Sequence, residues 1–519
     1  MDAIAEITRQ VNHLSPGSRA MASTNLAATA ESVAARRRAG DGSPQLVAEA
    51  LVLFCEAVRR STGTWPAKAV VASAATAALG VVAPVRDDVD RTAAVAFAAY
   101  WRGIAGSSHL ITVDDGRAGA ARNLLAPVLE LLGGSVGLLT EDFTREARQP
   151  AYTSTVTVGS YSHFAEDYLR DNLEYSRAEM VQAGGPRNAI LDDADTALID
   201  HALVQVRLTA PQHEGHNVGQ AAERAVEQLQ RGTDYRVYAE HDAVAFSPAA
   251  LAHIKNAVGW EDVASMGAVT RAWLAECAIL RRENLVADDE RQLLADITVQ
   301  GYIHTYRTVS GVASHASPIA PILDRAYGLR SSGLDKGRFS RAFGRSDAAT
   351  GFDDDGFARE RIVDDQRSWV YRMRATVVDE ADAGRLIGAL AADTVKHWSG
   401  GGAKTTLAGL DDVLAGHSTP QQINAVHEGP PPDTELADRA ARLIEEVVQE
   451  HIGRLGPAEG LEFLRTVRLR VVDLQWGEHL NRVRFLQRHA QHEALRPLFS
   501  AFQRRVCEDS IKYILNVTQ

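Results

Sequence analysis

Two short acidic runs are the residues best equipped for chemistry: Asp87-Asp88-Val89-Asp90-Arg91-Thr92 and Asp192-Asp193-Ala194-Asp195. Clustered carboxylates can splay into water, take up protons or bind cations, and oxygen ligands of this kind select Mg²⁺, Mn²⁺ or Ca²⁺ over softer ions. Runs of one charge are more often simply solvated. A third run, Asp353-Asp354-Asp355, has two readings. The favoured one is a helix start whose acids complement the dipole; the other is a set of aspartates holding Mg²⁺ against a diphosphate.

Other patterns fall short of the spacing their chemistry needs. Gly400-Gly401-Gly402-Ala403-Lys404-Thr405 has no glycine before its lysine and no buried strand leading into it, so it reads as a loop between helices. His213-Glu214-Gly215-His216 lacks the H-E-x-x-H spacing that puts two imidazoles on one helical face. His489, His492 and Glu493 could share a helix face, but a solvated surface explains them as well. There is no G-x-S-x-G elbow. Cys55, Cys277 and Cys507 lie far apart and form no C-x-x-C pair, so neither a disulfide framework nor a zinc knuckle is implied, and a reducing cytoplasm fits.

The elements that must position these residues come in two styles. Between Ala67 and Pro150 short apolar runs alternate with helical ones: Gly80–Ala83, His109–Val113 and Gly134–Leu139, followed by Thr155–Gly159 and Ala189–Asp192. Continuous apolar strands separated by helices predict a parallel sheet covered on both faces. From Ala202 to Ala295 the pattern changes to helices around one hairpin, Tyr235–Tyr238 and Ala243–Phe246, with His241-Asp242 as its turn. Beyond Phe352 strands vanish and long helices dominate, broken at Gly400–Gly402 and Gly429–Pro432, with Asp433 placed to cap the helix that follows. The first residues carry Ile4, Ile7, Val11 and Leu14 at helical spacing with acids between, which predicts an amphipathic helix and not a signal peptide.

A chain of 519 residues exceeds what one core serves, and a net charge of -12 opposes a general attraction to nucleic acid or anionic lipid. No run approaches the roughly 20 apolar residues that span a bilayer.

Several segments together resemble the SecA preprotein translocase family. Gly159-Ser160-Tyr161-Ser162-His163-Phe164-Ala165-Glu166-Asp167-Tyr168-Leu169-Arg170-Asp171-Asn172 is similar to that family's G-T-N-N-E-F-G-F-D-Y-L-R-D-N. Asp192-Asp193-Ala194-Asp195 with Ala197-Leu198-Ile199-Asp200 resembles its Walker B segment. Thr298 to Ala316, through Gln300, Tyr302, Tyr306 and Gly311, resembles the stretch ending T-G-T-A, here Ala313-Ser314-His315-Ala316. Asp365-Gln366-Arg367, Tyr371, Arg374 and Asp379 match the D-Q-R segment of the scaffold helix, and Asp473, Trp476, Glu478, His479 and Leu480 match D-x-x-W-x-E-H-L. Trp476 and His479 read as packing and capping residues of that scaffold, because Leu474, Leu480, Val483 and Leu486 mark regular apolar positions beside them.

The resemblance implies an α/β plus all-α architecture: one RecA-like parallel-sheet domain, a small inserted domain and a C-terminal helical scaffold and wing. Boundaries follow at 1–60 for amino-terminal helices, 61–204 for the RecA-like domain, 205–295 for an insert resembling the preprotein cross-linking domain, 296–320 for its return segment, 321–351 for a linker and 352–519 for scaffold and wing. The family's second motor domain should lie between the T-G-T-A-like segment and the scaffold, where only Ser317 to Gly351 is available. About 35 residues cannot form a domain of that size.

Laid over the family's phosphate loop, Asp87-Asp88-Val89-Asp90-Arg91-Thr92 stands where T-G-E-G-K-T belongs. A P-loop needs glycines so that backbone N–H groups approach phosphate, and a carboxylate about 4 Å from a phosphate charge costs on the order of 4 kcal/mol at an effective dielectric near 20. Arg91 is not expected to offset three such acids. The catalytic glutamate position is shortened to Asp193. The resemblance also brings Asp87, Asp88 and Asp90 to the same sheet edge as Asp192, Asp193 and Asp195, making these six the candidate metal ligands.

Two functions follow as expectations. The first is a cytoplasmic, non-catalytic protein that has lost the motor and binds an extended polypeptide or another protein, with Trp476, Glu478, His479, Asp365, Gln366 and Arg367 as its structural or partner-binding residues. It needs no ATP, binds no nucleic acid and has no integral membrane segment. The alternative is a Mg²⁺-dependent enzyme that reuses the former nucleotide cleft for a phosphorylated or diphosphate substrate, such as an isoprenoid diphosphate lyase or cyclase.

Overall fold

A computed structural model describes the chain except for residues 1, 86–87, 142–143, 183–184, 186–187, 210–215, 239–242, 258–274, 276–277, 280–281, 284–292, 315, 332–353, 428–432, 489–493 and 518–519. The described residues divide into two units, each considered by itself. The first comprises Met1–Asp171, Val181–Val206 and Asp296–Arg361, and the second Asn172–Met180, Arg207–Ala295 and Ile362–Gln519.

In the first unit, helices α1 (Asp2–Arg19), α2 (Ser23–Arg38), α3 (Pro44–Thr62) and α4 (Lys68–Ala78) precede the sheet. Alternation then sets in: β1 (Val82–Pro84), α5 (Asp88–Gly103), β2 (Ser108–Thr112), α6 (Asp115–Leu131), β3 (Val136–Leu138), α7 (Arg145–Tyr152), β4 (Val156–Ser160), α8 (Tyr161–Asp171) and β5 (Asn188–Leu191). A later strand, β10 (Thr308–Ala313), completes a six-stranded sheet in the order β1-β10-β5-β2-β4-β3, with every neighbouring pair parallel. Both β2 and β4 are buried along their whole length, as the continuous apolar runs require of a sheet covered on two faces. All five strands expected from the sequence are present within a residue or two. The sixth lies in the return segment and was not identified as a strand.

Local signals account for several of these helices. Ser43 caps α3 by accepting from Leu46 N, Pro44 sits at its first turn, and Gly63 ends it in a left-handed conformation. The buried face of α3 packs Phe54 against Phe97 of α5, with ring centroids 5.5 Å apart. The amphipathic pattern of the first residues forms α1, with Ile7 and Val11 buried. The Gly159–Asn172 motif is internal. Asp167 receives Arg148 Nη1 at 3.0 and 3.1 Å and the Tyr152 hydroxyl at 2.8 Å, while Asp171 accepts Val181 N and Gln182 N at 2.8 and 2.6 Å.

The chain leaves this unit through β6 (Gln205–Thr209) and returns through β9 (Leu293–Thr298), which pair as a two-stranded sheet. The excursion holds the expected hairpin, β7 (Tyr235–Tyr238) and β8 (Ala243–Phe246), antiparallel with Tyr235 opposite Phe246; its turn, His241-Asp242, lies outside the described residues. Helix Ala316–Tyr327 runs across the boundary expected at residue 320.

The remainder of the second unit is helical, from the part of helix Asp354–Asp379 that begins at Ile362 through Ala383–Ser399, Ala403–Val413, Pro420–His427, Asp433–Gly453 and Pro457–Arg488 to Leu495–Val517. The two scaffold motifs meet there residue by residue. Arg374 pairs with Asp473, and His479 Nε2 lies 2.8 Å from Gln366 Oε1. Gln366 Nε2 donates to Leu495 O, so its carbonyl oxygen faces the histidine and His479 Nε2 carries the proton.

Candidate functional site

The parallel sheet fixes which loops face one another. Pro84 lies opposite Ala313, and Gly311 opposite Leu191, so the carboxyl ends of β1, β10 and β5 form one contiguous edge. Ligands of α/β proteins bind at this edge. Ser314 follows β10 and Asp192 and Asp193 follow β5, bringing them beside the start of α5.

Strand β1 ends at Pro84 and α5 begins at Asp88, leaving only Val85, Arg86 and Asp87 between them. A P-loop needs a longer glycine-containing turn, G-x-x-x-x-G-K, to wrap backbone N–H groups around phosphates. Three residues separate strand from helix here, and the first helical turn carries acids where the helix dipole would otherwise favour an external anion.

Arg91, expected from the resemblance to stand where the family has its phosphate-reaching lysine, points inward. It is 4% exposed, with Nη1 donating to Asp193 Oδ2 at 2.6 Å and Nη2 donating to Ser314 Oγ at 2.5 Å. Arg117, in the first turn of α6, donates from Nη1 to Asp193 Oδ2 at 3.1 Å and to Asp192 Oδ2 at 3.3 Å. The other Asp193 oxygen accepts from Thr196 N at 3.3 Å, and Asp195 Oδ1 accepts from Ser314 N at 3.2 Å. Among the described residues, Arg91 and Arg117 thus join Asp192 and Asp193 in one ionic network.

The electrostatics follow from that network. Burial pushes Asp192 above its ordinary pKa, with the Arg117 and Arg91 charges pulling it back. Burial also raises Asp193, but a hydrogen bond shared with Asp195, the Arg91 charge, the Thr196 N–H and the Arg91 hydrogen bond together outweigh it and hold Asp193 at about 2. A carboxylate so fixed is a poor general base near neutral pH.

The six candidate ligands are thus distributed unevenly. Asp192, Asp193 and Asp195 come together; Asp90 stands in α5; Asp87 and the side chain of Asp88 lie outside the described residues. Among the described residues no three His, Cys, Asp or Glu side chains are arranged to hold a metal. The expectation that Arg91 could not balance the acids omitted Arg117. The signal for it was available: α6 follows β2, β2 neighbours β5, and Asp114 accepts from Arg117 N at 2.8 Å, which fixes this arginine at a helix start on the same edge.

The scaffold residues are placed differently. Trp476 is 1% exposed and stacks on His479, with ring centroids 5.3 Å apart; Gln366 and Arg367 are buried as well. Their side chains pack between helices of the second unit. Asp365 is exposed on its helix, the side chain of Glu478 is outside the described residues, and Asp353 is also outside them.

Comparison with known proteins agrees with both halves of the chain. Residues 1–321 match the SecA DEAD-like domain and residues 358–496 the SecA Wing and Scaffold domain. The chain is 25% identical over 370 residues to the protein translocase subunit SecA of Saccharopolyspora erythraea, covering 63% of this chain and 39% of that protein. To the SecA of Acidithiobacillus ferrooxidans it is 26% identical over 373 residues, covering 62% and 41%. It therefore spans about two fifths of the length of these curated relatives.

Proposed function

The chain belongs to the SecA family, and from that premise we propose that it is a polypeptide-binding protein that has given up ATP hydrolysis. The observation that carries the loss is Arg91: the cation that should reach phosphate is consumed by Asp193 and Ser314. The three-residue step from β1 to α5 supports the same reading, as does the short stretch of residues 322–357 between the two family matches.

What remains is a binding body. The relatives are translocase subunits, and in this chain the second unit contains an apolar crevice where hairpin residues Val244 and Phe246 approach Val467, Val471 and Leu474 of helix Pro457–Arg488. Apolar side chains of an extended polypeptide fit a surface of that kind, and Arg470 and Tyr513 at its wall supply polar contacts for a backbone.

Two measurements test this. Calorimetry with Mg·ATP gives no saturable binding in the micromolar range, and no phosphate is released. Reduced carboxymethylated α-lactalbumin, a permanently unfolded chain, binds saturably and loses affinity at least fivefold in Leu474→Asp. Micromolar ATP binding sinks the first claim, and unchanged affinity in Leu474→Asp sinks the second. A metal-dependent reaction on a diphosphate at Asp192 and Asp193 has less support, because arginines already occupy those carboxylates.

A further inference from the structure

Three arginines converge at the opposite edge of the sheet from Asp193. Arg102, in the last turn of α5, joins Arg307, just before β10, and Arg330, just after helix Ala316–Tyr327, in lining one cleft of about 490 Å³ near the amino ends of β1 and β10. Gly80 and His304 also line it, and among the described residues no carboxylate does.

The side chains of Arg307 and Arg330 are exposed, and among the described residues they make no hydrogen bond or ion pair. Arg102 is more deeply placed. Its Nε is buried without a hydrogen-bond partner, and its guanidinium lies over Gly80, where an added Cβ would stand 3.3 Å from Nη2. Gly80 also has a φ of 82°, which a side chain would resist, so glycine at this position leaves the guanidinium its room. Burial and the neighbouring Arg37 charge both disfavour the charged form of Arg102.

A chain with 67 Asp and Glu against 55 Lys and Arg could have relieved this crowding with one carboxylate. Cations gathered around a concave space, one of them partly desolvated, are the usual ground for anion recognition, because guanidinium groups match phosphate oxygens in geometry as well as charge. The volume lies within the range of small-ligand sites, roughly 300 to 1,000 Å³.

We propose that this cleft binds a small phosphate-bearing polyanion of diphosphate size through Arg102, Arg307 and Arg330. The proposal does not rest on the polypeptide-binding reading or on the ionic network at the carboxyl edge. A diphosphate lets Arg102 engage one phosphoryl group from the cleft floor while Arg307 and Arg330 engage the other from the rim. Orthophosphate cannot span both and binds more weakly.

Calorimetry with sodium pyrophosphate on the full chain at low ionic strength tests it. The expected result is saturable binding below 1 mM, at least fivefold tighter than orthophosphate, weakened tenfold or more in Arg307→Ser/Arg330→Ser and in Arg102→Gln. The first variant changes exposed residues only, and its melting temperature confirms that it folds. Arg9→Ser/Arg385→Ser removes the same charge elsewhere and should bind as the parent does. No heat up to 5 mM pyrophosphate, or an equal loss in the Arg9/Arg385 variant, overturns the proposal. Retention on phosphatidylglycerol vesicles without any pyrophosphate binding also overturns it, and assigns the arginines to a membrane surface.

Discussion

Arg91 Nη1 lies 2.6 Å from Asp193 Oδ2, and both side chains are more than nine-tenths buried. The two residues approach from the start of α5 and the end of β5, and each offsets the charge of the other. A buried pair of this kind stabilises little in itself compared with well-packed apolar side chains, but breaking it strands a charge.

Removing one partner should therefore be costly and removing both should not. Arg91→Met is expected to destabilise the first unit by about 3 to 5 kcal/mol, and Asp193→Leu by a similar amount. The double variant should recover at least half of the summed loss. Urea titrations of the three variants check this; additive losses would mean that the pair is not coupled.

Neighbouring carboxylates should respond oppositely to substitution at neutral pH. Asp193 titrates below its ordinary range, so its contribution is present above the unfolded pKa of about 3.9 and fades as pH falls through about 2. Asp192 is pushed upward by burial, so its charged form opposes folding and the penalty lifts as pH falls. At pH 7 Asp192→Asn is accordingly the milder change, by at least 1 kcal/mol. Thermal melts of the two single variants, measured at pH 7, decide the order.

Acid should act on this protein first through histidines. Burial lowers His479 to about 4 and His109 to about 3, in both cases holding the ring neutral. His109 stacks on Phe164 with centroids 4.5 Å apart and meets the Tyr306 hydroxyl at 2.7 Å, and among the described residues no carboxylate partners it to welcome a proton. In the unfolded chain both rings titrate near 6.5, so stability is lost as pH falls from 6.5 toward these folded values. The loss for His479 is about 2 kcal/mol between pH 7.5 and 5. His479→Gln should flatten that part of the profile for the helical unit; a profile of unchanged slope would show that the ring is already solvated.

Trp476→Ala should destabilise the helical half by about 3 to 5 kcal/mol, the range for a large aromatic removed from a packed site. The indole is 1% exposed, with His479 against one face and Phe502 at 5.7 Å. Its Nε1 is buried without a hydrogen-bond partner, so Trp476→Phe gives up volume but strands no polar group and should cost far less. Denaturant midpoints of the two variants separate these cases. A loss under about 1 kcal/mol for the alanine variant contradicts the packing described here.

Periodicity made much of this fold legible, and long-range charge made the rest illegible. Apolar runs such as Leu110-Ile111 and Val156 to Val158 announce buried parallel strands because both faces must be apolar, and Tyr235–Tyr238 with Ala243–Phe246 announces its hairpin by alternation. Strand β10 escaped because Thr308, Ser310 and Gly311 dilute its apolar pattern. At the site, acids could be counted from sequence but their partners could not: Arg117 and Asp193 are 76 positions apart. Counting carboxylates alone left out the arginines, Arg91 and Arg117, that fold onto Asp192 and Asp193. The scaffold motifs were readable as motifs, yet only the fold shows that Arg374 meets Asp473 and Gln366 meets His479.

Gly311 is where the sheet and the site depend on one residue. It lies in β10 opposite Leu191 with a φ of 156°, and a Cβ there would come within 2.2 Å of Leu191 O, a backbone atom that cannot step aside. Gly311→Ala must therefore push β10 away from β5. Leu191 is the residue before Asp192, and three residues after Gly311 comes Ser314, so the displacement is delivered to both ends of the Arg91 contacts at once. The expected outcome is a destabilisation of about 2 to 4 kcal/mol, larger than the usual glycine-to-alanine change, because a steric clash adds to the backbone strain. Hydrogen exchange localises the effect: Asp192 N, which donates to Ile111 O at 2.9 Å, and Val85 N, which donates to Ala313 O at 3.0 Å, should lose protection while amides of the hairpin in the second unit keep theirs. Unchanged protection at Asp192 and Val85 would show that β10 does not govern the edge on which Arg91 and Asp193 meet.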